Sequence, residues 1–327
     1  MRIISGTTEF EAPGRTAVAI GKFDGVHLGH KKLLEELLAQ KADGLLSCVF
    51  TFEPSPEVYF GFAPDRQLST RGEKRKLFAS MGIDLLIEFP FDGNTAAMPA
   101  EEFIRRILAE KLHAAYVVAG ADLSFGDKGS GNFELLTFLA SRYGYETRMI
   151  PKAVYRGQDI SSTLIRSYVS QGKMEDAAAC LGSPYMIRGE VMHGNAIGRT
   201  IDIPTLNLIP EEEKLMPPYG VYYSIVNINE ADDADPVAGN ISKRTRQYYG
   251  MTNIGMKPTI HEENKRITVE TYVYDFDEDA YGKNVTISLL TFRRPEMKFD
   301  SMEELQRVMM DDVAAGRSYH GIAGAKR

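Results

Sequence analysis

Tryptophan is missing from this 327-residue chain, and cysteine occurs only twice. Cys48 and Cys180 lie far apart and share no metal-ligand spacing, which argues against a disulfide framework or a thiolate metal site. Two lone thiols suit a reducing compartment, and Cys48, inside the apolar run LLSCVF, is expected to be buried. No stretch approaches the roughly 18 apolar residues of a membrane-spanning helix. The start, MRIISGTTEF, lacks the apolar core of a signal peptide. There is no basic excess either: 38 Lys and Arg face 45 Asp and Glu, a net charge of −7. A broad nucleic-acid-binding surface is therefore not expected. The chain reads as a cytoplasmic globular protein with neither a membrane nor a nucleic acid as partner. Its 43% apolar content supports ordinary cores, and its length suggests two domains.

The first half alternates strand and helix patterns. TAVAIG (16–21), LLSCVFTF (45–52), IDLLIEFPF and AYVVAG read as buried strands. LGHKKLLEELLAQ (28–40), RGEKRKLFASMG and AEEFIRRILAEKL have helical spacing between them. Continuous apolar strands separated by helices predict a parallel sheet covered on both faces. The pattern changes near Ser183-Pro184. YMIRGEVMHG, YGVYYSIVNIN, YYGMTNIG, ITVETYVYDF and NVTISLLTF follow as strands without helices between them, which predicts an antiparallel barrel or sandwich. Residues 230–247 read as a long polar loop. Ser301, with Glu304 three residues on, predicts a capped terminal helix.

Four stretches bear on candidate chemistry. In GKFDGVHLGH (21–30), Gly21 ends a strand and a helix is expected to begin near Leu28. Gly21 and Gly25 permit close backbone approach, and the helix start offers unpaired amides. His27 and His30 share one face of the first turn and can donate to a triphosphate, stabilising charge as a nucleophile attacks the α-phosphorus. The plain alternative is a histidine pair that caps the helix and packs on the sheet. In ISSTLIR (160–166), Ser161, Ser162 and Thr163 offer hydroxyls at a helix start, and Arg166 lies one turn in; this equally suits a simple N-cap run. GNAIGRTIDIPTLNL (194–208) is not a P-loop, because its glycines are four apart, Arg199 replaces lysine and IPTLNL reads as a strand. Glu270 alternates with Val269 and shares a strand face with Tyr272 and Tyr274, where a carboxylate can accept a hydroxyl proton or simply face solvent.

These residues resemble a family. GKFDGVHLGH is similar to the His-x-Gly-His signature of nucleotidylyltransferases, in the form found in the N-terminal module of prokaryotic bifunctional riboflavin kinase/FAD synthetases. TFEPSP (51–56) resembles a family loop, with Ser55 where histidine is usual. VVAGADLSFG (117–126) resembles another, with Asp122 at its polar position and Leu123 replacing an aromatic. ISSTLIR resembles a third, with Leu164 where arginine is common. GNAIGRTIDIPTLNL resembles the riboflavin kinase motif, with Asp202 replacing glycine and Leu206 replacing alanine. YGVY (219–222), NIGMKPTI (253–260), VETYVYDF (269–276) and RRPEMKF (293–299) resemble further kinase segments, Arg294 matching better than Arg293.

The resemblance implies an FMN adenylyltransferase domain over 1–183, a Rossmann-like parallel sheet with helices on both faces. It implies a riboflavin kinase domain over 184–327, an antiparallel β-barrel with a terminal helix. Gly21, Phe23, Asp24, Gly25, His27, His30, Asp122, Ser162, Thr163 and Arg166 would bind ATP in the first, with His27 and His30 catalytic. Gly194, Gly198, Arg199, Pro204, Thr205, Asn207, Asn253 and Arg294 would bind ATP and flavin in the second. There Thr205 and Asn207 would hold Mg2+, and Glu270 would be the general base. ATP, riboflavin, FMN and FAD are the implied substrates and products, and the resemblance leaves room for a homo-oligomer. Two other readings stay open. One is a kinase whose adenylyltransferase half is weakened by Ser55, Leu123 and Leu164, which would form FMN but no FAD. The other is a flavin-binding regulator, which would bind flavin without turnover.

Overall fold

A computed structural model describes residues 1–62, 66–193, 203–229, 245–258 and 265–322. Among these, the chain forms two compact units, Met1–Ser162 and a second that begins at Thr163.

In the first unit the elements run β1 (Arg2–Ser5), β2 (Thr16–Ile20), α1 (Leu28–Ala39), β3 (Leu46–Glu53), α2 (Pro56–Tyr59), α3 (Arg71–Ser80), β4 (Leu85–Pro90), α4 (Gly93–Ala96), α5 (Ala100–Phe103), β5 (Ala114–Gly120), α6 (Phe133–Tyr143) and β6 (Glu146–Ile150), then the hairpin β7 (Val154–Tyr155) and β8 (Gln158–Asp159). Helix α5 runs on through wider turns to Lys111. The sheet has the order β1-β4-β3-β2-β5-β6 with every pair parallel. All five residues of β2 are buried, as expected of a central strand covered on both faces. Val18, Ile20, Phe50, Ile87 and Phe103 fill one core. Ala17, Ala19, Leu33, Leu34, Leu37 and Phe78 fill the other. The leucine stripe of α1 thus buries against β2, each side chain contributing about 2 kcal/mol. The strand order reverses direction between β2 and β5, and in open parallel sheets the crevice beyond such a switch point is where ligands bind.

The second unit contains α7 (Ser162–Ser170, entered one residue before the division), α8 (Met174–Leu181), β9 (Tyr185–Glu190), β10 (Thr205–Leu208), β11 (Gly220–Asn229), β12 (Thr245–Pro258), β13 (Lys265–Val273), β14 (Asn284–Pro295) and α9 (Met302–Tyr319). Its sheet has the order β10-β13-β12-β11-β14-β9, antiparallel throughout. The sheet curls until its two edges meet at one bridge, where the Met192 N–H donates to the Asn207 carbonyl at 2.8 Å. Alternate residues of β11 to β13, among them Tyr222, Thr252 and Thr271, point into the buried interior. Ser224, Thr252 and Thr271 form a hydroxyl chain there, with both links at 2.8 Å. Helix α9 covers part of the outer face, where Val313 packs on Val221, Met251 and Tyr274. Ser301 caps it as expected, accepting from the Glu304 N–H at 3.1 Å.

Of the expected loop at 230–247, residues 245–247 already belong to β12, because they pair with β11. Residues 230–244 lie outside the described residues. Helices α7 and α8 group with the second unit because α8 packs against β9 and β14.

Candidate functional sites

Residues 21–27 connect β2 to α1 at the switch point. Phe23, Gly25 and Val26 take positive φ angles of 53°, 82° and 40°. Gly25 adopts this without cost, whereas the left-handed region costs other residues roughly 1–2 kcal/mol each. Phe23 and Val26 are buried in the α1-side core, which holds them there. The Gly21 N–H is engaged by the Phe50 carbonyl at 3.2 Å.

His27 is the N-cap of α1, and its Nδ1 accepts from the His30 N–H at 3.4 Å. That bond leaves the ring proton on Nε2. The two imidazoles stack with centroids 3.8 Å apart and planes at 19°. The Phe23 ring stands 5.1 Å from that of His30. Burial lowers the His27 pKa to about 4, against the opposing pull of Asp122 and Asp24. Burial, then the neighbouring His27, holds His30 well below the ordinary histidine value. Its Nδ1 is buried with no hydrogen-bond partner among the described residues. Both histidines are therefore neutral at pH 7, an acceptor-donor pair rather than a positive patch.

Asp24 ties this loop to two distant segments. Its Oδ1 accepts from the Leu68 N–H at 2.8 Å and the Ser69 N–H at 3.3 Å. Its carbonyl accepts from the Ser162 hydroxyl at 2.8 Å. Asp122 follows β5 on the other side of the switch point and lies 3.5 Å from the Lys152 ammonium. Ser55 stands at the N-cap of α2 without a side-chain capping bond. Thr163 and Arg166 lie on α7, in the second unit. Sequence reasoning missed Lys22, which pairs with Glu57. Partial burial lowers its pKa, countered by Asp122 and Asp24, so it belongs to the same charged surroundings. Its signal was its place between Gly21 and Phe23.

In the second unit, strand register brings the kinase-like residues into rows. Asn207 on β10 and Asn253 on β12 both pair with Glu270 on β13. Cross-strand partners share a face with side chains about 5 Å apart, so the row Asn207–Glu270–Asn253 presents one carboxylate between two amides. Thr205 pairs with Tyr272 in the adjacent row. The Asn207 amide nitrogen donates to the Thr205 carbonyl at 3.1 Å and stands 3.4 Å from its hydroxyl. The amide thus presents its nitrogen to Thr205 and turns Oδ1 away, so the two hard oxygens, which are suitable Mg2+ ligands, would face one ion only after the amide turns over. Pro204 immediately precedes β10.

Arg294 pairs with Val221 on the β11 side of the same face. Its guanidinium, however, is held by Asp312 of α9 at 2.7 and 2.8 Å, with Arg293 at 3.6 Å from the same carboxylate. Arg294 thus anchors the terminal helix. Gly194, Gly198, Arg199 and Asp202 lie outside the described residues. Among the described residues no cluster of three or more His, Cys, Asp or Glu could hold a metal.

Residues 9–164 match the family model described as FAD synthetase, and residues 181–320 match the one described as riboflavin kinase. A bifunctional riboflavin kinase/FMN adenylyltransferase from Buchnera aphidicola is 30% identical, covering 98% of this chain and 100% of its own. The protein of the same description from Listeria monocytogenes is 32% identical, covering 92% and 91%. A crystal structure described as that of a macrolide-efflux protein from Streptococcus pneumoniae superposes with a TM-score of 0.80 at 29% identity, covering 97% of this chain and 98% of that one.

Proposed function

The chain belongs to the bifunctional riboflavin kinase/FMN adenylyltransferase family, and we infer that its two compact units divide two reactions between them. It is a transferase that phosphorylates riboflavin with ATP and then adenylylates FMN with a second ATP to give FAD. The observation that carries the division is that the two histidines and the Asn207–Glu270–Asn253 row belong to different sheets. The stacked histidines stand at the switch point of the parallel sheet, and the Asn207–Glu270–Asn253 row stands on the antiparallel sheet. The efflux role in the name of the Streptococcus pneumoniae protein has no counterpart in either family model. No helix of the described residues is long and apolar enough to cross a membrane.

In the kinase reaction, Glu270 accepts the proton of the terminal ribityl hydroxyl of riboflavin. That oxygen bonds to the γ-phosphorus of ATP as the bond to ADP breaks. Thr205 and Asn207 would hold Mg2+, which would supply neutralising charge for the ATP phosphates. The two neighbouring amides orient the hydroxyl and the phosphate for in-line transfer, where positioning supplies much of the rate.

In the adenylyltransferase reaction, a phosphate oxygen of FMN attacks the α-phosphorus of ATP and pyrophosphate leaves. His27 donates from Nε2 to the oxygens that gain charge, and His30, stacked against it, holds that ring in place. Because both rings are neutral, their contribution is directed hydrogen bonding, and Lys22 supplies the nearby positive charge. Ser162, bonded to the Asp24 carbonyl, fixes the loop on which the histidines sit. The match of residues 9–164 to the FAD synthetase model supports two activities over a kinase alone, and Ser55, Leu123 and Leu164 are the departures that a silent adenylyltransferase half would be traced to.

The test is an end-point assay with magnesium-ATP and either riboflavin or FMN, followed by chromatography. The expected products are FMN and FAD from riboflavin, and FAD from FMN. FMN accumulating without FAD would mean that the histidine set is silent. Flavin binding without turnover would favour the regulator.

A further inference from the structure

One carboxylate on the kinase face has no place in the reaction so far. Glu296 follows β14 directly, and its side chain reaches over β12 to Gly255. A Cβ at position 255 would overlap the Glu296 Oε1, and the Asn253 amide nitrogen stands 3.5 Å from the same point. Gly255 is therefore the residue that lets this carboxylate lie flat on the strand. Gly220, opposite Pro295, is required for a separate reason: a Cβ there would overlap the Arg294 carbonyl of β14 itself. Its φ is 149°.

The carboxylate lies on the same face as Glu270. Gly255 pairs with Thr268, two residues before Glu270 on β13, and Asn253 pairs with Glu270 itself. The spot above Gly255 and the Glu270 position are thus diagonal neighbours, about 7 Å apart. Neither Glu296 nor the Asn253 side chain has a hydrogen-bond or ion-pair partner among the described residues. An ionised carboxylate is a pure acceptor and is costly to leave without donors when a ligand displaces its water. Riboflavin carries matching donors: a polyhydroxyl chain that ends at the group to be phosphorylated and spans such a diagonal.

We propose that Glu296 is a specificity-determining residue of the kinase reaction, its carboxylate accepting hydrogen bonds from the inner hydroxyls of the ribityl chain. This rests on the reading of Glu270 as the base on the same face. Asn253 stands between the two carboxylates and donates to the chain from the middle. The flavin ring needs no contact with Glu296, so the residue reads the sugar-like tail.

Binding of riboflavin and of lumiflavin, which has the ring without the hydroxyl chain, is measured by flavin fluorescence for the whole protein without ATP. Glu296→Ala is expected to weaken riboflavin about tenfold, the scale of one charge-assisted hydrogen bond, and to leave lumiflavin within about twofold. Gly255→Ala, whose methyl displaces the carboxylate, is expected to give the same selective loss. The double variant is expected to be no worse than Glu296→Ala alone. The KM for riboflavin should rise in parallel, while kcat and FAD formation from FMN stay near wild type. Equal weakening of both flavins, unchanged riboflavin binding or additive single effects would each overturn the proposal. Glu270→Gln serves as the control for the underlying reading: full FMN formation by that variant would sink the kinase-site assignment itself, whatever Glu296 does.

Discussion

The two histidines show how burial decides what a titratable group can do. His27 keeps a pKa near 4 while an unfolded chain titrates near 6.5, so the unfolded state binds more protons between those values. The stability this gives the fold is complete above about pH 6.5 and is lost as the pH falls toward 4. The loss from His27 alone is on the order of 3 kcal/mol, and His30 adds to it with the same sign. Thermal melts between pH 4.5 and 7.5 should show this slope, and His27→Asn should flatten it by about one proton. A variant melting curve that runs parallel to wild type would contradict the burial argument. In FAD formation, the pH profile should show no histidine titration near 6.5, since both rings stay neutral through that range. The His-x-Gly-His spacing was legible in the sequence because it is local. That Asp24 receives Ser162 from 138 residues away was not, because such a bond exists only once the sheet has brought the two segments together.

Elements show the same contrast between local and assembled information. The burial period of β2, β3 and β5 and the capping of α9 could be read directly. β6 could not, because its residues are half exposed and carry little apolar period. Helix α9 has a buried ion pair at its root. Asp312 is 3% exposed, and Arg294 is its close partner. Arg294→Ala leaves that carboxylate nearly alone and should cost about 3 kcal/mol of stability in the second unit, read by urea unfolding. A rise in KM with unchanged stability would instead mark Arg294 as a ligand contact. Gly316 is a point of close approach between α9 and the barrel. A Cβ there would overlap the Tyr274 hydroxyl and stand 3.0 Å from the Tyr223 ring. Gly316→Ala should therefore destabilise by about 1–3 kcal/mol through overpacking, although alanine is the better helix former.

At the scale of the whole molecule, the placement of the histidine pair and of Glu270 on different sheets predicts that single substitutions split the activities. His27→Ala should slow FAD formation from FMN by 100-fold or so while FMN formation continues, and Glu270→Gln should do the reverse, as expected for lost electrostatic or acid-base assistance. Product analysis from each starting flavin reads both at once, and equal loss of both activities in either variant would contradict the assignment. The change near residue 183 was legible as a switch from alternating elements to strands alone. That α7 and α8 side with the strands was not, because their sequences suit either neighbour and only packing decides.

The bridge that closes the curled sheet has one more implication. β10 is four residues long, and among the described residues its edge is joined to the other by the bond from the Met192 N–H to the Asn207 carbonyl. The residue whose side chain is assigned to the metal thus carries the seam on its backbone. Each time the seam parts, Asn207 loses its backbone tie to Met192 and is held by its pairing with β13 alone. The Met192 amide is then a built-in clock: its deuterium uptake times the opening of the barrel beside the residue proposed to hold magnesium-ATP, and occupancy by that ligand should slow it.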